Sequence, residues 1–237
     1  MSQRQRKSEE AGSRESERRR TILRAAIDVF ARKGYHGCRI ADVAREAGVA
    51  YGLVYHYFKN KDELLETVVE TGWSGFVARM RSVAEDEGAT LEQKVRGVAD
   101  VAFEAYRVDP RAVKVLILEV ARSPAGTHVV SRQQAFLDTI RMAANMFSRA
   151  QATGELRADM DPMLCASLLF GAIELGLTAF VSGLVEDRSP EALERAKVQI
   201  AESFLRGVLP GAATSAGVSW KQERSSSGTR SKAGKRS

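Results

Sequence analysis

A chain of 237 residues, 44% hydrophobic and 28% charged, is long enough to hold one large or two small domains with real cores. Its net charge of +6 gathers in the tails: residues 1–20 carry +3 and residues 211–237 carry +5, which leaves about −2 on the body between them. Two distant cysteines, Cys38 and Cys165, exclude a disulfide framework. The charged N-terminus also lacks the apolar core of a signal peptide, and together these features suit a reducing, cytoplasmic setting.

Residues 1–15 are polar and poor in apolar side chains, and they read as a disordered arm. A first helix is predicted from about Ser16 to Lys33, with Leu23, Ala26, Ile27 and Phe30 as its packing stripe. Gly34 ends it. In the next helix Ile40, Val43, Ala44 and Ala47 recur at helical spacing, and Gly48 stands where a left-handed residue stops a helix. Val49 fills the corner before a second short helix over 51–58. The small residues Ala44, Ala47 and Gly48 let the two helices cross closely, as in a helix-turn-helix. The second helix offers Tyr51, Gly52, Leu53, Tyr55 and His56 to the outside, an unusual use of aromatic surface for a purely structural helix. Lys59 and Lys61 follow at phosphate-contact positions, and residues 21–62 hold seven basic against four acidic groups. Residues 16–62 are therefore predicted to be a DNA-binding domain. His36 and Cys38 lie two apart, but the other nearby histidine, His56, falls on the DNA-reading helix, so no metal site is assigned.

The ordered run Gly34-Tyr35, Ile40-Ala41-Asp42-Val43-Ala44, Ala47-Gly48-Val49 and Val54-Tyr55-His56-Tyr57-Phe58-Lys59-Asn60-Lys61-Asp62-Glu63-Leu64-Leu65 resembles the N-terminal domain of TetR-family repressors. The resemblance implies a three-helix DNA-binding head, and the candidates for DNA contact are Arg39, Tyr51, Gly52, Leu53, Tyr55, His56, Tyr57 and Lys61. Tyr51, Gly52 and Tyr55 are expected at bases or sugars, His56, Tyr57 and Lys61 at phosphates, and Phe58 in the core. Two positions depart from the family pattern. Ala50 replaces a Ser or Thr N-cap, typically a loss of about 1 kcal/mol, and Tyr51 replaces a Lys, exchanging a phosphate donor for a stacking or base-edge group.

The remainder, residues 63–210, is predicted to be a larger helical body, so the fold class is all-α. A helix from Asp62 to about Asp86 links head and body, with Gly72 and Gly75 inside it. Thr90 and Gln93 form a capping box for the next helix, and Asp109-Pro110, Asp161-Pro162 and Ser189-Pro190 mark three further starts. Another long helix is predicted from Val129 to Ala152. The apolar run from Met163 to Val181 carries Glu174 at its middle and reads as a buried helix, not a membrane span. Residues 211–237 read as a disordered basic tail.

One reading helix covers about four or five base pairs, so a specific site calls for two heads about 34–36 Å apart on a palindromic operator, hence a homodimer. The last two helices are the candidates for its interface, through Ala166, Leu175, Ala179, Leu193, Ile200 and Phe204, with Gly171, Ala172 and Gly176 permitting close approach. The alternative is that these residues fill the chain's own core. The resemblance also implies a small-molecule effector, although it supplies no cofactor. Candidate lining residues are Trp73, Phe76, Phe103, Tyr106, Leu116, Phe136, Ile140, Phe170 and Ile173, with Glu119, Arg122 and Glu174 as polar groups inside apolar stripes. The body is similar to TetR-family regulators of fatty-acid degradation, which implies a long-chain acyl-CoA as effector. A sensor of another hydrophobic molecule, as in drug-efflux control, would carry the same lining. No Glu-x-x-His, Cys-x-x-Cys or Ser-His-Asp arrangement is present to support an enzyme, and a protein-binding scaffold would leave Tyr51 to Lys61 unexplained.

Overall fold

The computed structural model describes residues 3–120 and 129–210, with side chains over 12–118 and 134–210. The described residues form nine helices and no strand. They are α1 (Gln3–Gly37), α2 (Ile40–Glu46), α3 (Tyr51–Tyr57), α4 (Lys61–Ala84), α5 (Leu91–Val108), α6 (Pro110–Val120), α7 (Val129–Ala152), α8 (Pro162–Ser182) and α9 (Pro190–Val208).

Local chemistry sets most of these starts. Asn60 Oδ1 accepts from the Glu63 amide at 2.8 Å and opens α4. Thr90 and Gln93 exchange bonds of 2.8 and 3.3 Å at the head of α5. Asp109 accepts from the amides of Arg111 and Ala112, Asp161 from Leu164, and Ser189 from Ala192, each beside a proline at the first helical position.

Helix α1 departs from the sequence reading, because it begins at Gln3 instead of near Ser16. Low apolar content suggested disorder. Helix formation, however, is governed by backbone propensity, and apart from Ser8 the segment from Gln3 to Ala11 is made of Gln, Arg, Lys, Glu and Ala. At its other end the backbone leaves the helical region at Gly34, where φ is 69°. The tail beyond residue 210 lies outside the described residues.

Two apolar cores organise the molecule. The head core gathers Ile22, Ala26, Val29 and Phe30 of α1, Ile40, Val43 and Ala44 of α2, Val54 of α3 and Phe58 just after it. It also takes Leu64, Leu65, Val68 and Val69 of α4, so it extends past residue 62. The body core is built from the far end of α4 (Met80, Ala84) and from α5 to α9. Helix α6, although it lies within the body in sequence, serves both: Val113 is buried in the body core, whereas Val115 is 1% exposed within the head core. Arg111 at the start of α6 pairs with Asp28 of α1 at 2.6 Å, and Leu116 packs over the head core and faces Gly72 of α4.

Helix α8 is the one described helix long and apolar enough to cross a membrane, with a mean hydropathy of 2.0. Only 33% of that apolar window is buried within the chain. Cys165, Ala166, Leu169, Ile173, Leu177 and Phe180 face the body core, whereas Leu164, Leu168 and Leu175 are 56%, 51% and 71% exposed.

Candidate nucleic-acid interface and effector site

The short helix α3 is held by one face only. Val54 and the following Phe58 are 0% and 1% exposed, and they anchor it to α1, α2 and α4. Gly48, at φ 65°, makes the turn that aims it, a backbone state that Gly enters without strain. Its start has no side-chain cap, since Ala50 supplies no acceptor. The outer face presents Tyr51, Gly52, Tyr55 and His56, all exposed, with Leu53 and Tyr57 half-buried at its edges.

The two tyrosines form a unit. Their rings meet edge to face at 5.1 Å and their hydroxyls are 3.1 Å apart. That hydrogen bond raises the pKa of Tyr55. His56 stacks edge-on against Tyr57 at 5.1 Å. An aromatic face with hydroxyls and an imidazole at its tips can offer both donors and acceptors to base edges or phosphates.

The other DNA-contact candidates are placed differently. Arg39 is exposed at the start of α2, and its amide donates to Asp42 Oδ2 at 3.1 Å. Asp42 also takes Lys33 at 2.8 Å and Arg45 at 2.5 Å, and its carboxyl is held below the usual carboxylate range, first by the hydrogen bond from Lys33. Lys61 is not a free phosphate donor. Its Nζ donates to the carbonyls of Tyr35 at 2.8 Å and Cys38 at 3.0 Å and lies 4.1 Å from the Tyr35 ring centroid. It thus ties α4 to the α1–α2 corner, where the Tyr35 hydroxyl also donates to Asp62. Those carbonyls are more than twenty residues away in sequence, so spacing alone could not reveal them. Arg19, not singled out in the sequence, places its guanidinium 5.3 Å from the Phe58 ring centroid.

In the body, Trp73 and Phe76 of α4 and Phe136 of α7 form a ring cluster, with the Trp73 centroid 5.7 and 6.2 Å from the other two. The indole Nε1 is buried with no hydrogen-bond partner among the described residues. An orphaned donor among aromatic rings is an expensive arrangement for a plain core. Phe103, Tyr106, Ile140 and Ile173 are buried in the body core, where Phe103 and Tyr106 contact Phe180, and Phe170 packs on its edge. Leu116 sits on the head core instead. Glu174 is exposed on α8 and does not line the interior of its own chain, because its helical register falls beside Leu175. The side chains of Glu119 and Arg122 lie outside the described residues.

A cleft of about 260 Å³ opens between α5 and α9, lined by Asp100, Phe103, Glu104, Arg107, Pro190, Leu193, Glu194 and Lys197. Of these, only Phe103 is among the lining residues expected from sequence. The charges of the cleft are engaged with one another: Lys197 with Asp100 and Glu194 at 2.6 and 2.5 Å, and Arg107 with Glu104 at 2.6 Å. Among the described residues no three His, Cys, Asp or Glu side chains gather as a metal site.

The predicted dimer residues divide. Ala166 and Leu193 are buried in the chain's own core, and Gly176 is used within the chain: a Cβ there would stand 2.5 Å from Ile200 Cδ1. Ile200, Phe204 and Ala179 are half-buried, and Phe204 stacks on Phe147. Leu175 is outward-facing, and on the same stripe lie Ala172, named from the sequence for close approach, and Leu164 and Leu168, which the sequence reading missed. Their spacing of four, four and three was the available signal.

A helix-turn-helix head with an exposed aromatic helix, set on a larger all-helical body, defines a DNA-binding regulator. Residues 22–68 match the model for bacterial regulatory proteins of the tetR family. It is 28% identical over 163 residues to the fatty acid metabolism regulator protein of Bacillus subtilis, covering 68% of this chain and 81% of the relative. Two solved structures share the fold. FadR from Bacillus subtilis in complex with stearoyl-CoA superposes with a TM-score of 0.68 at 24% identity, covering 79% of this chain and 97% of that one. AibR in complex with isovaleryl coenzyme A and operator DNA gives 0.65 at 20% identity, covering 81% and 98%.

Proposed function

We propose that this chain is a dimeric transcriptional repressor of palindromic operators whose DNA binding is released by a long-chain acyl-CoA. The observation that carries the mechanism is the double membership of α6, with Val113 in the body core and Val115 in the head core. An effector that shifts α6 or the adjoining α4 must move the head, since packed cores repack between discrete arrangements and do not deform continuously. Trp73 and Phe76 on α4 and Phe136 on α7 are the lining residues best placed for this, because α4 enters both cores. The regulated distance is the separation of two heads joined through the outward stripe of α8 and α9. On α3, Tyr51, Gly52 and Tyr55 are assigned to bases and sugars. His56, Tyr57 and, from the start of α2, Arg39 are assigned to phosphates.

The effector class rests on the relatives. The Bacillus subtilis protein is named for fatty acid metabolism, and two neighbours of the same fold were solved with CoA thioesters. An apolar interior suits the acyl chain, and cations at its mouth would meet the CoA phosphates. Fluorescence anisotropy on DNA from upstream of the protein's own gene tests this reading. Saturable binding that resists competitor DNA and is released by stearoyl-CoA, with free CoA inert, is the expected result. Specific binding indifferent to every acyl-CoA would remove the effector and leave the regulator.

A further inference from the structure

We propose that the N-terminal extension of α1 is a second DNA-binding element, gripping phosphates that flank the site read by α3. The inference rests on the DNA-binding reading but not on the identity of the effector. Residues 12–21 of α1 are all exposed, so this part of the helix stands clear of the head core, which begins at Ile22. From Gln3 to Arg18 it spans about 24 Å at 1.5 Å per residue. A helical segment without packing of its own is marginal in water and gains from a partner that orders it.

The charge on this segment has a register. Arg14 and Arg18 stand four apart, and the same line continues through Ile22, Ala25 and Val29, all buried against the rest of the head. The basic stripe is thus the outward prolongation of the face of α1 that packs on the helix-turn-helix. Glu17 flanks the stripe on one side and Glu15 on the other. Arg19 fixes where the prolongation lies, because its guanidinium sits over Phe58, the residue just after α3. The helix therefore leaves the head beside the C-terminal end of the reading helix, where a duplex seated on Tyr51 and Tyr55 would continue as sugar-phosphate backbone. Arginines at this spacing suit phosphate oxygens, which carry no sequence information, so the element adds affinity and register, not specificity.

The salt dependence of binding tests the proposal directly. A duplex selected from random sequence by the wild-type chain is prepared in two lengths, one trimmed to the protected site and one with an extra helical turn on each flank. The variant Arg14→Gln/Arg18→Gln keeps helix propensity and removes the two cations. Arg81→Gln/Arg141→Gln removes two exposed charges from the body as a matched control. On the long duplex, the plot of log binding constant against log salt should flatten by about 0.9 for each phosphate that is no longer neutralised, about 1.8 for the arginine pair in each bound subunit. The control should keep the wild-type slope, and on the trimmed duplex wild type and variant should converge. Equal slopes on the long duplex, or an equal flattening in the control, would overturn the proposal and leave the reading head intact. Failure of the wild type to select any duplex would overturn the DNA-binding reading itself.

Discussion

Helices α3 and α8 both hold apolar side chains in solvent, and they differ in what those side chains end with. On α3 the exposed groups are Tyr51 and Tyr55, aromatic bodies tipped with hydroxyls that already bond to each other. On α8 they are Leu164, Leu168 and Leu175, bare hydrocarbon along a helix of 21 residues. A tipped aromatic can lie against a hydrated, charged polymer and still satisfy its polar atom. A leucine stripe has nothing to offer such a partner, and it gains only by meeting another apolar surface. The contrast teaches that exposed apolar area alone does not define a partner. The polar atoms at its edge do.

Four measurements would break or sharpen that contrast. The largest effect is expected on α8. Leu168→Glu with Leu175→Glu would set unpaired carboxylates into the proposed interface, at a cost of about 3 kcal/mol or more, over a hundredfold in the dimer dissociation constant. Sedimentation should show monomers with unchanged helicity, and operator binding should fall with the dimer. A variant that stays dimeric would place the interface elsewhere.

Next comes the tyrosine pair. Each of Tyr51→Phe and Tyr55→Phe should weaken operator binding by about 1 kcal/mol. The double variant should lose less than the sum, because one hydroxyl orients the other. Strict additivity in the cycle would mean that the tyrosines act separately.

Lys61→Met separates holding from reading. Two carbonyls of the α1–α2 corner lose their shared donor, so the head should be destabilised by about 1–2 kcal/mol in a denaturant titration. If stability is unchanged and DNA binding alone falls, Lys61 is a phosphate contact after all.

The smallest effect concerns acid. The Asp42 carboxyl is held below the usual range, by Lys33 first and then by the Arg39 amide. Its contribution is therefore complete above the ordinary aspartate pKa of about 3.9 and is lost as pH falls through the lower folded value. The wild type should lose stability over that window, and Asp42→Asn should lose less. Parallel curves for the two proteins would remove Asp42 from the acid response.

Much of the fold is legible because its signals are local. Asp109-Pro110, Asp161-Pro162 and Ser189-Pro190 satisfy their own helix starts within three or four residues, whatever the rest of the chain does. The turn at Gly48 and the packing of Val54 and Phe58 follow from spacing in the same way. The start of α1 escapes a reading by apolar content, because the helicity of that segment comes from backbone propensity.

Sequence by itself determined the helices, the helix-turn-helix and the outward face of α3, since each depends on neighbours at fixed short separations. Tertiary structure alone decided which residues of a long apolar helix turn inward. Ala166 and Leu193 enter the chain's own core, Gly176 makes room for Ile200, and Leu164, Leu168 and Leu175 remain outside. It also decided that Lys61 holds a corner and that Val115 crosses into the head core. In each case the partner lies far along the chain. A nearly all-apolar stretch has no polar face to mark its orientation, so only the packed neighbours could set it.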